Sequence, residues 1–166
     1  MGAPASRQPG GKSNMAAREE QALRATGRCL CGAVRYQIRG PLRPVMNCHC
    51  GQCRRTHGNV AAYTSVARAD LVLTEDRGLK WYRSSEAARR GFCRDCGASL
   101  FWEPLGGDRV AVAAGSIDPP SGLETIRHVF VADKGDYYEI ADGLETLPAG
   151  HDDSTSAVKK IYRGKP

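Results

Sequence analysis

Cys93-Arg94-Asp95-Cys96-Gly97 is the stretch that decides the fold, because a Cys-x2-Cys pair followed by glycine has the form of a zinc knuckle. Gly97 can take the positive φ that such a turn often needs. A knuckle supplies only two ligands, whereas a closed structural zinc site needs four. The sequence therefore predicts that this turn meets a second pair of cysteines from another part of the chain.

The cysteine count predicts two metal sites of different kinds. Seven cysteines occur, at Cys29 and Cys31, at Cys48, Cys50 and Cys53, and at Cys93 and Cys96. Seven thiols suffice for one closed four-thiolate site and one open three-thiolate site, and an open position is typical of reactive zinc. Three thiols within six residues can meet at one ion, and the two separated pairs would then join segments more than sixty residues apart. Such structural zinc contributes about 10–16 kcal/mol of folding free energy.

Three other interpretations compete with this one. Disulfides are disfavoured by the odd cysteine count and by the lack of a hydrophobic signal segment at the start of the chain. A thioredoxin-like redox pair at Cys93 and Cys96 lacks the strand-then-helix context of that motif. The third interpretation, that a histidine closes the open site and all the metal is structural, remains open. The histidines available for it are His49, His57, His128 and His151.

Composition and charge indicate an ordinary domain without a nucleic-acid face. The chain has 166 residues, 41% of them hydrophobic, and no apolar run approaches the roughly 18 residues of a membrane span. The formal net charge of +6 lies mostly in the two ends, since residues 29–150 carry fifteen Lys and Arg against fourteen Asp and Glu. We expect a flexible N-terminal tail at residues 1–26, a zinc domain at 27–148 and a polar C-terminal tail at 149–166. The clustered cysteines favour a cytoplasmic location. We expect neither a nucleic-acid nor a membrane partner. The sequence does not indicate an oligomeric state.

Apolar residues alternate with polar ones along most of the middle of the chain, which predicts a mainly β fold. The expected strands lie in Val34–Ile38, Val60–Val66, Asp70–Leu73, Arg109–Ala113, Ile126–Val131 and Tyr137–Ile140. Turn-forming residues such as Gly40-Pro41 and Gly106-Gly107-Asp108 separate them. Only Ser84–Arg90 gives a helical signal in this region. The pattern predicts small, mainly antiparallel sheets pinned at one end by metal.

Several sequence blocks, taken in order, resemble one family. They are Cys29–Tyr36, Cys48–Gly58, Gly91–Gly97, Gly115–Pro119 and His128–Val131. Together they resemble the glutathione-dependent formaldehyde-activating enzyme (GFA) family, also called the centromere protein V family, over about residues 27–148. The resemblance implies a zinc-pinned arrangement of antiparallel sheets described as Mss4-like or β-tent. It also implies a structural zinc on Cys29, Cys31, Cys93 and Cys96, and a catalytic zinc on Cys48, Cys50 and Cys53.

The same resemblance implies an activity, the joining of formaldehyde to glutathione to give S-hydroxymethylglutathione, classed as a carbon–sulfur lyase reaction. The implied cofactor is Zn²⁺, two per chain, and the implied partners are a small thiol and a small carbonyl compound. The chemistry of the open site agrees, because three thiolates leave a zinc site with a net charge of −1 and make it a weak activator of water. A soft substrate sulfur suits such a site better.

Three residues near the open site are candidates for substrate contact. Arg54 and Arg55 could bind a glutathione carboxylate with a guanidinium group. His57 is a candidate proton donor, while His49 should point away from the metal in an extended chain. The alternative to an enzyme is a non-catalytic zinc-binding module, or a carrier of glutathione or formaldehyde.

Overall fold

A small three-stranded sheet forms one part of the molecule. The computed structural model describes residues 22–150. The sheet has the order β1-β2-β5 and is antiparallel throughout. Its strands are β1 (Ala25–Arg28), β2 (Arg35–Ile38) and β5 (Leu71–Glu75). Because β1 begins at Ala25, the last two residues of the expected N-terminal tail are in a strand. The rest of that tail before residue 22, and the C-terminal tail beyond residue 150, lie outside the described residues.

An eight-stranded sheet forms the other part, in the order β11-β10-β3-β4-β9-β8-β7-β6. Its strands are β3 (Val45–Cys48), β4 (Ala61–Ala67), β6 (Leu79–Ser85), β7 (Ala88–Cys93), β8 (Ser99–Pro104), β9 (Arg109–Ala113), β10 (Thr125–Val129) and β11 (Glu145–Leu147). Strand β10 runs parallel to β3 and β11, and the other neighbours are antiparallel. The prediction of a mainly β fold with antiparallel sheets is confirmed.

Helical structure is short. The α-helix α1 spans Gly51–His57, and single 3-10 turns lie at Arg68–Asp70, Ala114–Ser116 and Val131–Asp133. Within the described part of the chain, no helix has the length and apolar character needed to cross a membrane.

A buried aromatic contact joins the two sheets. The rings of Tyr36 in β2 and Phe101 in β8 meet edge to face at 5.3 Å, and both side chains are 1% exposed. The Tyr36 hydroxyl lies 2.6 Å from Ser116 Oγ, so its polar end is satisfied inside the core. Gly27 passes directly over this ring, where a Cβ atom would come within 2.3 Å of Tyr36 Cζ. Only glycine therefore lets β1 approach the core at this point.

Two local predictions are wrong. Ser84–Arg90, expected to be helical, contains the end of β6, a turn and the start of β7, where Tyr82 pairs with Arg90. Tertiary contacts decide this segment, because Arg89 lies over the Trp81 ring at 4.2 Å and Arg90 is buried. Tyr137–Ile140, expected to be a strand, forms turns and irregular chain. The Lys134 ammonium donates to the carbonyl oxygens of Gly135 and Tyr138, which strand pairing would otherwise use.

Candidate metal centres and active site

Four cysteines meet at the junction of the two sheets, and we call them the four-cysteine cluster. The Sγ atoms of Cys29, Cys31, Cys93 and Cys96 all lie within 4.8 Å of one another. Cys29 directly follows β1, and Cys93 is the last residue of β7. Gly97 closes the knuckle with φ 74° and donates its N–H to the Cys93 carbonyl at 2.8 Å. The cluster therefore links the small sheet to the large one.

The spacing of these sulfurs suits a tetrahedral zinc ion. Cys31 Sγ lies 3.6 Å from Cys29 Sγ and 3.7 Å from Cys93 Sγ. A tetrahedron with zinc–sulfur bonds of about 2.3 Å has sulfur–sulfur edges of about 3.8 Å. The donor set fits as well, because thiolates are the ligands of closed structural zinc sites.

The fold shifts the pKa values of two of these thiols in opposite directions. An N–H group from Ala98 holds the pKa of the Cys96 thiol down at about 6, whereas burial raises the pKa of Cys93 to about 12. The Val34 N–H points at Cys29 Sγ from 3.3 Å, as a donor to a thiolate would. Full deprotonation of the cluster therefore requires a cation between the sulfurs.

The second group, the three-cysteine cluster, comes from one short segment. Cys48 ends β3, Cys50 is the N-cap residue of α1 and Cys53 lies in its first turn. All three are buried, and their Sγ atoms lie within 4.8 Å of one another. Cys50 Sγ accepts the Cys53 N–H at 3.4 Å, so the helix start holds the two thiols on one side. Among residues 22–150, no histidine, aspartate or glutamate joins this group.

The three thiols do not ionise together without a cation. Hydrogen bonds from Cys48 and Cys53 lower the pKa of Cys50 to about 3. The pKa of Cys48 is raised far above its usual range, mainly by its bond to Cys50 and also by its bond to Cys53 and by burial. One thiolate thus suppresses its neighbour's ionisation, and a divalent metal ion is the partner that would allow all three to ionise.

A buried arginine lies against the three-cysteine cluster. Arg90 of β7 is 6% exposed, and its Nη2 lies 3.7 Å from Cys53 Sγ and 3.2 Å from Gln52 Oε1. Its positive charge also acts on Cys50, lowering that pKa further. The guanidinium group therefore offsets negative charge on the thiolates from the sheet side.

A cavity of about 260 Å³ opens beside this arginine. Four of its nine lining residues are aromatic, and the lining includes Tyr63, Tyr82, Phe92 and Phe101 together with Arg90. Tyr63 packs against the three-cysteine cluster, and Thr56 on α1 also lines the cavity. A small molecule in this space would contact one buried positive charge, and Arg90 and Tyr63 would lie between it and the thiols.

The three residues predicted to contact substrate, Arg54, Arg55 and His57, lie in different environments. Arg54 is half-buried, with its Nε enclosed and without a hydrogen-bond partner among the described residues, and its charge acts on the Tyr138 hydroxyl. Arg55 is exposed on the outer face of α1. His57 lies 3.2 Å from the Tyr63 hydroxyl through Nε2, and burial lowers its pKa.

The histidines considered as a fourth ligand lie elsewhere. His49 bonds with both ring nitrogens, to Tyr138 Oη and to His128 Nδ1, and so neither nitrogen faces the three sulfurs. His128 bonds in turn to Asp142 Oδ2 at 2.8 Å. His151 lies outside the described residues. Sequence reasoning missed Arg90, because it precedes Cys93 by three residues but contacts Cys53, which is 37 residues away in the chain.

A small β protein with two clusters of free cysteines able to hold metal ions is the class that this fold and site define. Residues 24–133 match the family model described as glutathione-dependent formaldehyde-activating enzyme. The chain therefore belongs to that family.

Two curated relatives agree with this assignment. An uncharacterized lyase of Schizosaccharomyces pombe is 28% identical over 119 residues, which cover 70% of this chain and 85% of the relative. A Halomonas elongata protein, provisionally named glutathione-dependent formaldehyde-activating enzyme, is 30% identical over 125 residues, covering 69% of this chain and 79% of its own. A crystal structure of a Rhodobacter sphaeroides protein, 25% identical, covers 60% of this chain and 97% of its own with a TM-score of 0.47.

Proposed function

We propose that this protein is a zinc-dependent enzyme of the carbon–sulfur lyase type that joins glutathione, or a similar thiol, to formaldehyde or a related small carbonyl compound. The observation that carries the proposal is the three-cysteine cluster, which has no fourth ligand among the described residues and contacts two residues, Arg90 and Tyr63, that line a cavity. Family membership supports the choice of thiol and aldehyde. Because clusters of free thiols suit a reducing compartment, we also propose a cytoplasmic location.

The two clusters have different roles in this proposal. Cys29, Cys31, Cys93 and Cys96 would hold a structural zinc that fastens the sheets together. Cys48, Cys50 and Cys53 would hold the catalytic zinc, which supplies deprotonation of a substrate thiol at neutral pH.

The reaction itself is an addition to a carbonyl group. The substrate sulfur forms a bond to the carbonyl carbon, the C=O π bond breaks, and the proton lost by the thiol ends on the new hydroxyl. Arg90 limits the negative charge that accumulates around the sulfurs. Arg54 on α1 is half-buried, and its positive charge would attract a substrate carboxylate.

Calorimetry with the zinc-loaded full chain tests the binding part. Glutathione should bind with release of protons, and S-methylglutathione, whose sulfur is blocked, should bind at least tenfold more weakly. Cys53→Ser should abolish glutathione binding. Equal affinity for the two ligands would contradict a thiol-binding site.

A turnover measurement tests the catalytic part. Because glutathione and formaldehyde combine without help, the exchange rate between free and combined formaldehyde should be followed by NMR at equilibrium. The zinc-loaded protein should accelerate exchange in proportion to its concentration, and Cys53→Ser should leave only the background rate. Tight glutathione binding without acceleration would identify a carrier instead.

A further inference from the structure

The cavity of about 260 Å³ lies at an irregularity in the pairing of β7 with β8. The register of the two strands shifts between Gly91 and Phe92, and both of these residues line the cavity. Their partners across the strand pair, Phe101 and Ser99, line it as well. Such irregularities bend a strand and redirect its side chains, and they are frequent next to active sites. The cavity is therefore part of the strand geometry.

One buried positive charge lies at this cavity. Arg90 lines it and is 6% exposed, and none of the nine lining residues, all within the described part of the chain, is acidic. The guanidinium group donates to Gln52 Oε1 at 3.2 Å and lies 3.7 Å from Cys53 Sγ. It also bonds to the hydroxyl of Tyr63, another lining residue. Because these contacts hold the guanidinium group in place away from bulk water, it attracts an anion more strongly than an exposed arginine would.

Aromatic residues supply much of the remaining lining. Tyr82 and Phe92 line the cavity together with Tyr63 and Phe101. Aromatic rings pack well against another flat ring, in offset or edge-to-face arrangements. The cavity is smaller than the roughly 300–1,000 Å³ typical of sites for drug-sized ligands. A ligand with one ring and one small charged group therefore suits it better than a tripeptide does.

The exposed lining residues mark the side from which a ligand can enter. Thr56 of α1 and Tyr82 of β6 both line the cavity and are both exposed. Arg55, next to Thr56, is exposed as well and adds positive charge on this side. Arg90 and Tyr63 lie between the cavity and the three-cysteine cluster, so a ligand that enters here does not reach the sulfurs.

We propose that this cavity is a second ligand site, which binds a small organic monoanion with one flat ring, such as an aromatic carboxylate. Arg90 is the residue that recognises the negative charge, since a guanidinium group suits the two oxygens of a carboxylate. The ligand lies beside Arg90 without touching the thiols, and so it binds together with a thiol ligand of the three-cysteine cluster. This inference goes beyond the proposed function and does not depend on it.

Calorimetry on the zinc-loaded full chain, with benzoate as the probe, tests the class of ligand. Benzoate should bind at least about tenfold more tightly than benzyl alcohol, which has the ring without the charge. It should also bind at least about tenfold more tightly than acetate, which has the charge without the ring. Equal affinity for benzoate and either of the other two, or no benzoate binding at millimolar concentration, would overturn the inference.

A pair of variants at the entrance tests the location. A change at Arg90 also disturbs its contacts with Gln52 and Cys53, whereas Thr56 is exposed. Thr56→Trp places a bulky ring at the entrance and should weaken benzoate binding at least about tenfold. The matched Thr56→Ser variant keeps the hydroxyl and should change the Kd less than about twofold. Wild-type affinity in a folded Thr56→Trp variant would overturn this location.

Excess glutathione distinguishes a second site from one part of the thiol site. The benzoate Kd should change less than about twofold when glutathione is added, because the two ligands occupy different places. Direct competition would show that the cavity holds a carboxylate of the thiol ligand, and would overturn a second site. A protein that binds benzoate as expected but does not bind glutathione would contradict the proposed function and leave this inference intact.

Discussion

Two serine substitutions, one in each cluster, test whether the two clusters contribute differently to the free energy of unfolding. Cys31 is exposed, whereas Cys53 is 3% exposed. Burial alone predicts that Cys53→Ser is the more damaging change, since an unsatisfied buried hydroxyl costs about 1–3 kcal/mol. A metal ion that fastens the two sheets predicts the opposite order.

The expected magnitude follows from the positions of the ligands. Structural zinc contributes about 10–16 kcal/mol to folding, so one ligand in four accounts for about 3–4 kcal/mol. Cys31 and Cys93 are 62 residues apart. If the unfolded chain bound one ion through both residues, the loss of chain entropy would cost about 2 kcal/mol more than for the six residues of Cys48–Cys53. The three-cysteine cluster lies in one short segment, which can bind metal even in the unfolded chain and so stabilises the fold less. We expect Cys31→Ser to lose at least about 3 kcal/mol and Cys53→Ser about 1–2 kcal/mol.

Urea unfolding of the zinc-loaded variants, followed by the fluorescence of Trp81 and Trp102, measures both values. Serine at an exposed position costs little by itself, so a large loss of stability in Cys31→Ser would come from the lost metal ligand. A Cys31→Ser variant within 1 kcal/mol of wild type, or one more stable than Cys53→Ser, would refute a role for the four-cysteine cluster in holding the sheets together.

Three other outcomes are expected. Titration with a chelator should release zinc in two steps, first from the three-cysteine cluster, with unfolding only at the second step; a single step accompanied by unfolding would contradict different roles. Phe101→Ala should lower the free energy of unfolding by about 3–5 kcal/mol in urea, because this ring is fully buried between the sheets, and a loss below 1 kcal/mol would argue against that packing. Tyr36→Phe should cost about 1 kcal/mol through the lost bond to Ser116, while exposed Tyr137→Phe costs almost nothing; equal losses would contradict the difference in burial.

Periodicity predicted five of the eleven strands in the described residues and missed the others, among them β6, β7 and β8. Alternation located β2, β4, β5, β9 and β10 to within a residue or two, because one face of each strand is buried. Ser84–Arg90, which contains the turn between β6 and β7, was expected to be helical. In the fold, Arg89 lies over Trp81 and Arg90 is buried at Cys53.

The sequence by itself determined that the sulfurs of Cys48, Cys50 and Cys53 lie close together, and likewise those of Cys93 and Cys96, because the spacing within each segment limits their separation. The fold decided that Cys93 and Cys96 meet Cys29 and Cys31. The sequence also determined the β class, through alternation that only a half-buried strand satisfies. Tertiary structure alone decided that Arg90 lies against Cys53. Arg90 comes from β7 and Cys53 from α1, and long-range contacts, which no local pattern encodes, bring them together.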